Sequence, residues 1–250
     1  MSKTKIEQYT KLGKAADFYL KESFNYLEIA LKKDFRQHVL SEKFKAFEYS
    51  DEDIKAIKEL NGNQDVLSIL QNGDKSIEAL SKDTLKKILE LHEETDKFVK
   101  NLKETKLNKE HSIESIELLG HLNNYAFFIE ILTNRHLLFL KHTEKISPFV
   151  YNQLSMAKIM NRLIFICKDE IDTNKVQLNE IANLFKFRNK AVHYTPDNAI
   201  ALQVKISALI RIWKQSVKLI RLFEKREKFR DTKFSNFIET DIDNFEFKWT

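Results

Sequence analysis

Apolar positions recur along most of this chain at the spacing that gathers them on one face of an α-helix. From residue 4 to about 48, Phe18, Tyr19, Phe24, Tyr26, Leu27, Leu31 and Phe35 keep that spacing and predict one or two long helices. Ser50-Asp51-Glu52-Asp53 carries the side-chain acceptors that cap a helix start. Asn61-Gly62-Asn63 and Gln71-Asn72-Gly73-Asp74 read as turns, with a short helix, Asp65 to Leu70, between them. An amphipathic helix is expected over about 82–107, with Leu85, Ile88, Leu89, Phe98, Val99 and Leu102 on one side and a Lys/Glu-rich face opposite.

Near residue 110 the helices become more apolar. A first is expected within 112–142, carrying Ile113, Ile116, Leu119, Leu122, Tyr125, Phe128, Ile129, Leu132, Leu137 and Leu140. Ser147-Pro148 starts a second, with Pro at its first position, running to about Ile171. A third spans about 176–192, and Thr195-Pro196-Asp197 opens a fourth that runs to about Phe229. Such a series predicts a compact bundle over 111–229, with 1–110 as a separate or flanking helical layer. In the tail, 230–250, Phe245-Glu246-Phe247-Lys248-Trp249 alternates with period two and predicts a short strand or extended packing arm. The expected fold class is therefore all-α, a helical bundle with an N-terminal helical layer and a short extended C-terminal tail. The last bundle helix carries Leu202, Ile206, Leu209, Trp213, Val217 and Ile220 on one stripe and Val204, Ile212, Leu219 and Leu222 off it. That exceeds what one intrachain contact would use, so a homodimer is expected.

Composition strengthens the helical reading. Among 250 residues there are 4 Gly and 2 Pro, too few for the many tight turns of a sheet or barrel. Charged residues reach 32% and the formal net charge is +5, which permits a polyanionic partner without demanding one, because Lys and Glu are interspersed. The lone cysteine, Cys167, lies in an apolar stretch and reads as a buried small hydrophobe, and a chain without an internal disulfide suits a reducing cytoplasm. Met1-Ser2-Lys3-Thr4-Lys5-Ile6 lacks the apolar core of a signal peptide, and no apolar run is long enough for a membrane span, so a cytoplasmic protein without membrane attachment is expected.

Most chemical motifs can be set aside. His92-Glu93-Glu94 has no second His at helical spacing, no Cys pair is present for zinc, and neither a Gly-rich phosphate loop nor a Gly-x-Ser-x-Gly elbow occurs. No metal site and no cofactor are expected. What remains is Arg188-Asn189-Lys190-Ala191-Val192-His193, followed by Tyr194. Arg135-His136 with His142 offers a looser Arg–His pair, but it lies mid-helix in the densest apolar segment and reads as structural or surface.

Arg188-Asn189 and His193, late in a helical bundle and followed by a long helix, resemble the signature of HEPN domains, and the resemblance covers about residues 110–228. It implies a metal-independent endoribonuclease acting as a toxin or defence effector, working as a dimer on an RNA substrate, with an antitoxin or sensor protein as a further partner. The alternative is a non-catalytic HEPN-like module that binds nucleotide or a partner protein. One subgroup of toxins carries a modifiable tyrosine two residues past the His; here Thr195 stands there and Tyr194 is adjacent, so that control is not carried over.

The residue types suit the implied chemistry. His193 titrates near neutrality and can move protons, Arg188 can fork onto phosphate oxygens, Asn189 can orient the imidazole, and Lys190 and Tyr194 can hold flanking phosphate or base. On one helix Arg188 falls on the apolar stripe of Ile181, Leu184, Phe185 and Val192. It lies about 140° around the axis from His193, so two copies converge on one phosphate more readily than one.

Overall fold

The computed structural model describes residues 3–45, 47, 50–55, 80–101, 107–172, 175–192, 203–227 and 233–250. The architecture is all-α, as the hydrophobic spacing implies. In chain order the elements are α1 (Lys3–Lys45), α2 (Lys82–Asn101), β1 (Ser112–Ile113), α3 (Glu117–His142), α4 (Pro148–Met156), α5 (Ile159–Ile166), α6 (Lys168–Asp172), α7 (Leu178–Val192), β2 (Val204–Lys205), α8 (Ile206–Glu227) and α9 (Phe234–Trp249). No helix among the described residues is long and apolar enough to cross a membrane. The turns at 61–63 and 71–74, the short helix at 65–70 and the Thr195-Pro196-Asp197 start lie outside the described residues.

The chain divides into two compact units, 1–31 with 106–250, and 32–105. The expected layer at 1–110 is thus itself divided. Residues 3–31 of α1 belong with the bundle because their apolar face meets α3 and α8: Phe24 packs against His121, Tyr125 and Trp213. In the second unit, Ser50 caps the turn that follows it, its Oγ accepting from the Asp53 amide at 3.2 Å. Burial raises the Asp53 pKa, but hydrogen bonds from Ser50, the Ser81 amide and Thr84 outweigh that and bring it to about 2. Arg36 pairs with Asp96, and its Nη2 lies 3.2 Å from His92 Nδ1.

Helix α3 is the axis of the first unit. Leu118, Leu122, Tyr125, Ala126, Phe128, Ile129, Leu132 and Leu137 bury most of its circumference. Helices α1, α7 and α8 surround it. Gly120 permits a close approach of α1: a Cβ there would fall 2.5 Å from the Tyr26 ring. Some polar side chains inside are paired, while His121 Nε2, His136 Nε2, the Tyr125 hydroxyl and Trp213 Nε1 are buried without a hydrogen-bond partner. His121 Nδ1 lies 2.8 Å from Ser23 Oγ and 3.0 Å from the Ser23 carbonyl oxygen. The Arg135 guanidinium donates through Nε and Nη2 to Glu227 Oε2 at 3.0 and 2.7 Å, and His136 Nδ1 lies 3.0 Å from Glu227 Oε1. All of these side chains are buried.

Three expectations are corrected. The long helix from Pro148 is broken into α4, α5 and α6, although Ser147 caps α4 as expected, accepting from the Val150 amide at 3.2 Å. Ala157 and Lys158 are extended at the first break, and Arg162 captures the carbonyls released there, donating to Ala157 O at 2.8 Å and Ser155 O at 3.0 Å. The tail is helical, not extended. Phe234, Ile238, Ile242, Phe245 and Trp249 form a buried stripe at helical spacing, and the period-two impression came from Phe247, which faces solvent. Helix α9 then covers α8, setting Phe245 against Trp213 with ring centroids 5.0 Å apart. The apolar surplus on α8 is thereby buried within the chain, which removes the reason for reading that face as a subunit contact.

Two predictions follow from the buried polar groups. Burial lowers the His121 pKa from 6.5 to about 4, so between those values the unfolded chain binds a proton that the folded chain does not. Stability is therefore full above pH 6.5 and falls by about 3 kcal/mol as pH drops to 4. Denaturant titrations across this range should show that slope, and His121→Asn, which retains a donor toward Ser23, should flatten it. Glu227→Ala should destabilise the fold by about 3–5 kcal/mol in the same assay, because it leaves a buried Arg135 without its carboxylate. A loss below 1 kcal/mol would show that this ion pair contributes little.

Candidate functional site

Helix α7 presents the Arg188 segment at its C-terminal end. Ile181, Leu184 and Phe185 are buried and fix one face of the helix against the bundle. Arg188 continues that stripe one turn later and is half-buried. An arginine on an apolar stripe is costly unless something receives its charge. Here the receiver is Phe127 on the outer side of α3, with the Arg188 Cζ 5.1 Å from the ring centroid. This cation–π contact buries Arg188 Nε, which meets no hydrogen-bond acceptor. A planar cation fixed on a ring in this way keeps its flat geometry and its capacity to donate to an oxyanion.

Asn189 and Lys190 lie next along the helix and are exposed. Lys190 occupies the last turn of α7, where a cation is favoured by the helix dipole. The helix extends to Val192. His193 and Tyr194 fall outside the described residues. The structure therefore gathers Arg188, Asn189 and Lys190 at one helix end, and the paired role expected of Asn189 with His193 rests on their sequence spacing. The other Arg–His pair is a core element. Arg135 is held by Glu227 in the interior, and His142 Nδ1 lies 2.8 Å from the Tyr9 hydroxyl, whose pKa is raised to about 12, chiefly by burial.

Sequence reading missed the aromatic surroundings of Arg188. Phe127 lies beside the buried Phe128 but points the other way and is 38% exposed. Its ring centroid is 5.4 Å from that of Tyr19, and Tyr19 is 5.3 Å from Phe18, which is 58% exposed. The available signal was the doubled aromatic itself: of adjacent helical residues such as Phe127 and Phe128, one must turn away from a face the other buries. Cys167 is inert by comparison, fully buried, with its thiol pushed up to about 12 by burial. Among the described residues no group of three or more His, Cys, Asp or Glu side chains is placed to hold a metal ion. Comparison with family models, with curated proteins and with solved structures returns no match for this chain.

Proposed function

We propose that this chain is a metal-independent endoribonuclease of HEPN type, acting in the cytoplasm as a toxin or defence effector. The observation that supports this most is the Arg188 guanidinium, half-buried and seated on Phe127, with Asn189 and Lys190 exposed beside it. A cation in that position can meet the charge that develops on a phosphate as its bond to the leaving oxygen breaks.

The reaction requires two proton movements and one charge to be stabilised. A base removes the proton of the ribose 2′-hydroxyl, and the 2′-oxygen forms a bond to the adjacent phosphorus. The bond from phosphorus to the 5′-oxygen breaks, and an acid returns a proton to that oxygen. The products are a 2′,3′-cyclic phosphate and a 5′-hydroxyl. His193 is the residue for the proton transfers, Asn189 orients it, and Arg188 holds the non-bridging oxygens. Lys190 and Tyr194 contact flanking phosphate or base. A homodimer that pairs Arg188 of one copy with His193 of the other is the arrangement that the resemblance implies.

Purified protein should cut single-stranded RNA in EDTA and leave a 2′,3′-cyclic phosphate, read by end-group analysis. His193→Ala should lower the rate by roughly 100-fold to 10,000-fold. Arg188→Ala should be comparably severe, and Arg188→Lys should restore little, because an ammonium lacks the planar fork. Asn189→Ala should be milder. Equal cleavage by wild type and His193→Ala would remove the catalytic reading and leave a HEPN-like module that binds nucleotide or protein.

A further inference from the structure

The surface beside Arg188 is a run of aromatic rings. Phe18 contacts Tyr19, Tyr19 contacts Phe127, and Phe127 carries the Arg188 guanidinium on its face. Folding does not require Phe18 and Phe127 to be open to water, and two exposed rings joined by a half-buried third mark a surface suited to contact. We propose that Phe18, Tyr19 and Phe127 form a shelf on which the unpaired bases of single-stranded RNA stack, delivering the adjoining phosphate to Arg188. The inference rests on the ribonuclease reading and names the residues that hold its substrate.

Chemistry favours this occupant. Every base presents a π-face, so tilted aromatic rings hold a nucleic acid strand without reading its sequence. The last turns of α7 carry Lys186, Arg188 and Lys190 and no acidic residue from 184 to 192. Nearby on α1, Asp17 is paired with Lys21 at 2.7 Å. A polyanion therefore meets Lys186, Arg188 and Lys190 at the Arg188 end of the shelf, on a stretch of helix without an acidic residue. The strand must be single, because bases in a duplex are already stacked on one another and cannot be laid on a protein ring. The geometry of Arg188 fits too: its face is occupied by Phe127 and its Nε is buried, which leaves the Nη edge of the guanidinium to meet phosphate.

The test uses the full chain and a short single-stranded RNA with 2′-O-methyl sugars, which cannot be cut, carrying a fluorescent adenine analogue quenched by stacking. Wild type should bind it and quench it, and a duplex of the same sequence should compete poorly. Phe18→Ala and Phe127→Leu should each weaken binding by about tenfold and lose much of the quench, and with cleavable RNA the defect should appear mainly as a raised KM. Phe127→Tyr, which keeps a ring under Arg188, should restore binding. Phe149→Ala, at an exposed ring on α4, is the control and should match wild type. Circular dichroism and thermal unfolding establish that each variant is folded. If the shelf variants bind and quench as wild type does while RNA is still cut, the shelf is wrong and the ribonuclease reading stands. If they change only the sedimentation of the protein, a second copy covers the rings and the proposal is overturned. Stacking and binding without cleavage would support the shelf and remove the catalytic reading, whereas wild type that neither binds nor cuts RNA would end both.

Discussion

Helix α3 is buried around most of its circumference, and its charged interior side chain, Arg135, has to be answered by the rest of the first unit. Arg135 and His136 sit where a bundle normally places leucine, and they are tolerated because Glu227 at the end of α8 reaches both of them. His121 is matched in the same way by Ser23 on α1. These contacts join residues far apart in sequence and fix which face of α1 and which end of α8 meet α3. They specify an arrangement more than they add stability, because the desolvation of such groups offsets much of their attraction.

The position of Arg188 follows from the same packing. Helix α7 has to bury Ile181, Leu184 and Phe185 against the bundle, and that rotation carries Arg188 toward α3. The outer side of α3 supplies Phe127, so an otherwise costly charge acquires a partner without being neutralised. A carboxylate in that place would have consumed the guanidinium in an ion pair, as Glu227 does with Arg135. The two arginines differ in surroundings and not in kind: one is closed inside the core and the other is held at its edge with its cationic character intact.

Helix α9 changes how the apolar surface is distributed. By covering α8 it turns a stripe that looks like a subunit interface into core, and it ties the chain end back through the Leu107 amide, which donates to the Trp249 carbonyl at 2.7 Å. The rings that remain open near Arg188 are therefore a residue of the fold after its internal demands are met.

The amino-acid sequence by itself determined the helical class, the Pro148 start, the end of α7 at Val192 and the placement of Arg188 on an apolar stripe. These are local properties, set by side-chain spacing, caps and the scarcity of Gly and Pro. Only the tertiary structure decided that residues 3–31 join the bundle, that the tail is a helix and that α4 and α5 are separate. It also decided that Arg188 rests on Phe127 with Tyr19 and Phe18 beyond. Each of these depends on which distant face an element meets. Spacing along a helix states that a face is apolar, whereas its partner is chosen by the packing of the whole chain.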